Sequence, residues 1–149
     1  MKSDLEQLKS LAQSMGFELL GIVDPHLRMD NVFFKRWLDE GKNASMHYLE
    51  KYPDVRVKAS NLLSNSQSMI ILGIPYTLSR KEKHRPRVAG YALNEDYHRF
   101  AWRTGQVLSE QLRKLITTQD AEIQFRVVSD SAPLLERAYA NRCETGFIG

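Results

Sequence analysis

Asp130 is the residue of this sequence best suited to acid–base chemistry. It follows an apolar run and precedes "SAPLLERAYANRC", which predicts a helix over residues 132–143 with Pro133 in its first turn. As a helix N-cap, Asp130 would accept backbone N–H bonds, and these would favour its ionised form. If its apolar neighbours surround the carboxyl group instead, desolvation would favour the protonated form, as a general acid requires. Capping is the simpler interpretation, and the two interpretations make opposite predictions.

Three further residues are candidates for ligand binding: Arg56, Tyr97 and His98. Arg56 lies among turn residues, where it is either a solvated charge or a planar fork of donors for an anionic or amide-bearing ligand. Tyr97 and His98 follow Asp96, a natural helix cap, and offer an aromatic face and a titratable ring, although packing is the simpler role. No second His or Cys stands at a metal-ligand spacing from His98, so we expect no metal site.

A basic run and a single thiol complete the reactive residues. The segment "RKEKHRPR", residues 80–87, predicts a solvated loop or a phosphate contact. Cys143 stands near apolar residues at a helix end, where a packing role is more common than a nucleophilic one. As the only cysteine, it excludes an internal disulfide and a self-contained iron–sulfur cluster, which takes four thiolates.

The composition is that of one globular domain. Hydrophobic residues make up 42% of the 149 and charged residues 26%, and the net charge of +3 permits an anionic partner such as RNA. The first ten residues carry acids and no long apolar segment, so no signal peptide is predicted. The longest apolar run, residues 69–76, is too short to span a bilayer. We therefore expect a cytoplasmic protein with no membrane contact.

The elements that must position these residues follow from hydrophobic spacing and from turn residues. Gly16 should end the first helix. Asp30 should cap the start of the second helix, and Gly41 should follow its end. Gly105 lies inside the long helix, where it indicates a close approach of another part of the chain. Helices alternating with strands predict a layered α/β or α+β domain. The predicted helices cover residues 5–15, 30–40, 44–52, 95–119 and 132–143, and the predicted strands cover residues 17–23, 68–76 and 122–128.

Five segments, in this order, resemble the amino-terminal domain of epoxyqueuosine reductases over nearly the whole chain. The most specific are "YALNEDYH" and "VSDSAPLLERAYANRCETGFIG". The other three are "MGFELLGIVDP", "RWLDEGKNASMHYLEK" and "RVKASNLLSNSQSMIILGIPY". The chain departs from the family pattern at Lys58-Ala59, where a Pro commonly follows the Arg turn, and at Ser64, which replaces a frequent Pro. It also departs at Gly90, where Arg is common, and at Asn94, where Gly is common.

The resemblance implies a cobalamin-dependent enzyme that reduces epoxyqueuosine in tRNA to queuosine. It implies a nitroreductase-like cobalamin-binding domain over residues 1–149, followed by a ferredoxin-like domain with two [4Fe–4S] clusters. The chain would then be a fragment without reductase activity of its own, and we expect a monomer. By matching motif, Asp130 would be the catalytic proton donor on the cobalt side. The resemblance assigns cofactor binding to Arg56, Ala89, Tyr97, His98 and Asp130.

Three alternatives stay open at this point. One is a flavin-dependent module on the same nitroreductase-like scaffold, and another is a non-catalytic cobalamin-binding domain. The third is a relative of the reductive dehalogenases, which share cobalamin and clusters, although "SDSAPLLERA" favours the tRNA enzyme.

Overall fold

The computed structural model describes residues 2–75, 95–116 and 123–144. Within them the chain is a mixture of helices and a small sheet, as an α+β fold requires. The α-helices are α1 Lys2–Ser14, α2 Val32–Asp39, α3 Pro53–Val57, α4 Tyr97–Leu115 and α5 Glu136–Asn141. Two short 3₁₀ helices are η1 His47–Glu50 and η2 Ala59–Asn61, and the strands are β1 Glu18–Val23 and β2 Met69–Gly73.

The chain divides into two compact units. Unit 1 comprises Met1–Leu19 and Leu72–Ser129, and unit 2 comprises Leu20–Ile71 and Asp130–Gly149. β1 and β2 pair in a two-stranded sheet, and the unit boundaries fall inside these strands.

Unit 1 is built on the contact of α1 with α4. Gly16 ends α1 with φ +83°, as predicted, and Phe17 then packs on Phe100 with ring centroids 5.6 Å apart. At the start of α4, Asp96 is the N-cap, and its carboxylate accepts the His98 backbone N–H at 2.9 Å. The buried side chains of this unit include Leu8, Ala12, Phe17, Ala101, Leu108 and Leu112.

Gly105 marks a close approach, as predicted. A Cβ atom placed on Gly105 would lie 2.6 Å from Cγ1 of Val127. We expect Gly105→Ala to lower the free energy of unfolding by up to about 2 kcal/mol, since an overpacking cost of about 1–3 kcal/mol is reduced by the roughly 1 kcal/mol gained in helix propensity. Thermal or denaturant unfolding measures this change.

The matched control for that prediction removes the obstacle. In a Val127→Ala background the same Gly105→Ala change should be neutral or stabilising, since the two side chains no longer compete for one space. Equal losses in both backgrounds, or stabilisation in the wild-type background, would contradict the close-packing explanation.

The predicted strand over residues 122–128 is wrong across its described part. Residues 123–128 form no strand, although apolar side chains alternate along them. The segment is bound by α4 side chains instead of by a β-ladder. The Arg113 guanidinium donates to the carbonyl oxygen of Ile123 at 3.1 and 3.3 Å and lies 5.5 Å from the Phe125 ring centroid. Val127 packs on Gly105. The alternation of apolar side chains along residues 123–128 therefore marks a segment with one apolar face and not a strand of a sheet.

Unit 2 is held together by short helices and tertiary hydrogen bonds. The Met29 N–H donates to the carbonyl oxygen of Val57 at 2.7 Å, and the Ser60 N–H to that of Pro25 at 2.9 Å. The predicted helix over residues 44–52 is reduced to η1, because Ala44 has φ +47° and breaks the helical path. The second helix begins near its expected cap: Asn31 is the N-cap, while the Asp30 carboxylate accepts the Val32 N–H at 2.8 Å.

The last predicted helix starts later than expected. α5 begins at Glu136, and Leu135 is its N-cap, with no side-chain cap bond. Residues 129–133 form bends, and the backbone N–H groups that follow them make hydrogen bonds outside a helix. The Leu134 N–H donates to the Ala132 carbonyl at 2.8 Å, and the Leu135 N–H to the Arg56 carbonyl at 3.3 Å. Pro133 therefore lies before the helix and not in its first turn.

Candidate functional site

Arg56 is a buried cation in unit 2. It is only 7% exposed, its guanidinium lies 5.2 Å from the Phe34 ring centroid, and Phe34 in turn stacks on Trp37. Its Nε donates to the Lys51 carbonyl and its Nη2 to the Tyr48 carbonyl, each at 3.3 Å. Burial lowers the pKa of the Arg56 guanidinium, which nevertheless stays protonated at any physiological pH.

No carboxylate pairs with Arg56 among residues 2–75, 95–116 and 123–144. Its charge is offset only by carbonyl dipoles and by an aromatic face. A guanidinium has five N–H donors, and these two carbonyl bonds leave others for a ligand. The sequence suggested either a solvated surface charge or a ligand fork. The burial of Arg56 contradicts the solvated surface charge, and its role as a ligand fork stays a prediction.

Asp130 is not the helix cap that its position suggested. It lies well before the first residue of α5, with φ +50°, in the left-handed region that Asp and Asn adopt more readily than most residues. Its backbone N–H donates to Oε1 of Glu136 at 3.0 Å, and its own side chain is exposed. Desolvation of the carboxyl group, the condition of the general-acid hypothesis, is therefore not met by the chain alone.

Tyr139 ties the segment that carries Asp130 to the segment that carries Arg56. Tyr139 is fully buried. Its hydroxyl accepts a hydrogen bond from the Ala59 N–H at 2.8 Å and donates one to the Leu27 carbonyl at 3.2 Å. Together with the bond from Leu135 to the Arg56 carbonyl, these contacts fix α5 against α3 and η2. Asp130 and Arg56 thus lie in one unit, joined through short bonded segments.

Sequence reasoning missed Tyr139. Its spacing of four from Leu135 on a predicted helix indicated burial, but its partners lie 80 and 112 residues away in sequence. The Ala59 N–H that donates to the Tyr139 hydroxyl is a donor that proline lacks, so a proline at position 59 could not make this bond.

Tyr97 and His98 lie together in unit 1. Their rings stack with centroids 4.0 Å apart, and Nδ1 of His98 lies 2.9 Å from Oδ1 of Asp96. The hydrogen bonds from His98 lower the pKa of the Asp96 carboxyl group. These contacts orient the imidazole at the start of α4, and the role of both residues in cofactor binding stays a prediction.

Several predicted features fall outside the described residues. Ala89, Gly90, Asn94 and the basic run at 80–87 belong to this group, and so does the terminal "GFIG". Among the described residues, no group of three or more His, Cys, Asp or Glu side chains is placed to hold a metal ion. In the same part of the chain, no helix is long and apolar enough to cross a membrane.

Cys143 is confirmed as a packing residue. A Cβ atom on Gly21 would lie 2.7 Å from its Sγ, so the thiol fills the space that this glycine leaves free. Burial raises the pKa of the Cys143 thiol, which disfavours the reactive thiolate.

Comparisons with known proteins identify the family. A mixed helix-and-sheet chain with a buried Arg that pairs with no carboxylate of the described residues, and with Asp130 in the same unit, is a candidate ligand-binding part of an enzyme. The family described as epoxyqueuosine reductase QueG, DUF1730, matches residues 56–131, which is 76 of the 149 residues and thus just over half. The chain belongs to this family.

Curated relatives agree with that assignment. The chain is similar to the epoxyqueuosine reductase of Xanthomonas campestris pv. campestris, with 31% identity over 96% of this chain and 41% of the relative. It is similar to that of Pseudomonas aeruginosa, with 29% identity over 97% of this chain and 41% of the relative. It is also similar to that of Synechococcus sp., with 30% identity over 97% and 45%. The chain spans about two fifths of the length of these relatives, and no solved structure was found to match it.

Proposed function

We propose that this chain is the cobalamin-binding part of an enzyme that reduces epoxyqueuosine in tRNA to queuosine. The observation that carries the proposal is Arg56, a buried cation without a carboxylate partner among the described residues, tied through Leu135 to the segment of Asp130. Family membership and the names of the relatives support the reaction.

The residues present fit cobalamin. The periphery of this cofactor carries amide groups and a phosphate, whose oxygens accept hydrogen bonds from a planar fork of donors. Arg56 offers such donors, and the carbonyls of Tyr48 and Lys51 fix the fork in one orientation. When bound, cobalamin supplies the electrons for breaking the carbon–oxygen bonds of the epoxide. Ala89, Tyr97 and His98 would contribute further contacts to the cofactor.

Asp130 would hold the proton that the reaction needs. Conversion of an epoxide to an alkene consumes two electrons and two protons and releases the oxygen as water. Negative charge develops on the departing oxygen, so a positioned carboxylic acid that protonates it contributes roughly 10²–10⁴-fold. The carboxyl group is exposed in the chain alone. Cofactor and substrate would have to exclude water around it for the protonated form to persist.

The wider assignment is part of the same proposal. The domain would have the nitroreductase-like fold, and two [4Fe–4S] clusters of a ferredoxin-like domain would feed electrons to the cobalt. The single cysteine means that this chain supplies none of the cluster ligand sets itself. The substrate partner would be tRNA in the cytoplasm.

Arg56→Lys is the variant that tests the cofactor site. Lys keeps the charge but loses the fork, so cobalamin binding should weaken roughly 10-fold or more. The measurement is titration of cobalamin absorbance, with the thermal midpoint recorded in parallel. Arg36→Lys is the matched control, because Arg36 lies on α2 of the same unit, has a side chain that is 75% exposed, and pairs with Glu40. A folded Arg56→Lys protein that binds cobalamin as the wild type does would contradict the assignment.

A further inference from the structure

Unit 2 exposes three aromatic rings on segments that adjoin Arg56, and we name these rings the ring face. Its members are Phe33, 85% exposed, Tyr48, 62% exposed, and Tyr52, 65% exposed. α2 has an apolar pattern, yet none of its residues is buried. The Phe33 ring is almost wholly in water, so it contributes little to the packing of the fold and is available to a partner.

Arg56 contacts each of the three elements that carry the ring face. Its guanidinium lies over Phe34 of α2, its Nη2 bonds the Tyr48 carbonyl, and its backbone N–H donates to the Tyr52 carbonyl at 3.2 Å. α2, η1 and the start of α3, which carry the three rings, therefore lie beside one another. Tyr52 itself has φ +57°, an uncommon conformation for a bulky residue, and it presents its ring outward.

The charges around the ring face are positive. Residues 32–58 contain six Lys or Arg and four Asp or Glu, a net formal charge of +2. Two of the acids are already engaged, since Glu40 pairs with Arg36 and Lys42, and Glu50 bonds Asn43 and His47. Lys35 and Lys51 are exposed and pair with no carboxylate of the described residues.

Exposed rings interleaved with cations are what unpaired nucleotides require. Bases of any sequence stack on aromatic faces, and lysines meet the phosphates between them. An apolar protein partner would leave the charges of the neighbouring lysines without a counter-charge. The bases of a duplex are already stacked on one another and cannot stack on the rings. We propose that the ring face binds unpaired nucleotides of the RNA substrate, with Phe33 as the main stacking ring. This inference rests on the proposed function for the presence of an RNA substrate.

The test is direct binding of single-stranded RNA. The probe is a labelled, unstructured RNA of about 12 nucleotides, within the range of single-strand site sizes, compared with the same sequence as a duplex. The wild type should prefer the single strand. Phe33→Ala should weaken single-strand binding roughly 5- to 150-fold, the range that loss of one stacked base produces. Binding should also weaken with salt, and Lys35→Gln should reduce that salt dependence.

Two controls separate stacking from apolar contact. Phe33→Trp should keep the affinity, because Trp also offers an aromatic ring. Phe33→Leu is apolar but has no ring on which a base can stack, so it should lose affinity as Phe33→Ala does. Val32→Ala, on the same helix at a position 64% exposed, should leave binding unchanged. The inference is overturned if Phe33→Ala binds as the wild type does, or if Leu substitutes fully for Phe. It is also overturned by concentration-dependent self-association that Phe33→Ala abolishes, with no RNA bound.

The outcome is distinguishable from failure of the proposed function. Cobalamin titration on the same Phe33 variants should give the wild-type result, since the ring that lies over the Arg56 guanidinium is that of Phe34. Cobalamin binding with no ring-dependent RNA binding would overturn only this inference. Ring-dependent RNA binding without cobalamin binding would overturn only the cofactor assignment.

Discussion

Replacing Asp130 with Asn should lower epoxyqueuosine reduction by roughly 10² or more while leaving the fold unchanged. Asn keeps the shape and the acceptor oxygen but carries no transferable proton. It also tolerates the left-handed backbone at φ +50° as well as Asp does, so the variant should unfold at the wild-type midpoint. The measurements are single-turnover conversion, in a polypeptide that joins this chain to the cluster domain expected after it, and thermal unfolding.

Two comparisons strengthen that experiment. Asp130→Ala should lose the same activity and should also unfold more easily, because Ala pays about 1–2 kcal/mol in the left-handed region. Asp54→Asn, an exposed acid of the same unit, should change neither quantity. Near-normal turnover by Asp130→Asn would remove the proton-donor role, and the proton would then come from water or from another residue such as His98.

Removing the Tyr139 side chain should produce the largest loss of stability among the positions described. Tyr139→Ala leaves a cavity in place of a fully buried ring and should cost about 3–5 kcal/mol. Tyr139→Phe keeps the ring but leaves the Ala59 N–H and the Leu27 carbonyl without this partner, and it should cost about 1–3 kcal/mol. Denaturant unfolding gives both values.

The pH dependence of the stability of the wild type and of Tyr139→Phe provides an independent check. Burial raises the pKa of the Tyr139 phenol above its ordinary value of about 10. The contribution of Tyr139 to stability should therefore be complete below pH 10 and be lost as the pH rises through the raised pKa. The Tyr139→Phe protein should lack this component. Tyr48→Phe, at an exposed tyrosine of the same unit, is the control that should leave stability unchanged.

Local signals in the sequence predicted the parts of the fold that depend on local physics. Asp96 caps α4 and Gly16 ends α1, because each role is decided by the side chain and its nearest backbone groups. Gly105 was recognised as a close approach because a buried glycine inside a helix needs a packing reason. The sequence did not identify Val127 as the neighbour that it meets.

The misses share a different cause, which is competition from distant partners. Residues 123–128 have the spacing of a strand, but Arg113 of α4 takes the Ile123 carbonyl. Asp130 looked like a helix cap, but Leu135 gives its N–H to Arg56 and α5 starts only at Glu136. For Arg56, a solvated surface charge stayed open as one of two interpretations, because nothing in "YPDVRVK" reveals the Phe34 ring over which it lies.

Binding of cobalamin by this chain tests the account most directly. Cobalamin and FMN are each added to the purified protein in separate titrations, and the absorption spectrum of each is followed. The account predicts that the cobalamin spectrum shifts and saturates near one equivalent, whereas the FMN spectrum stays that of the free flavin. A saturable shift of FMN with an unchanged cobalamin spectrum would contradict the account and identify a flavin-dependent module instead.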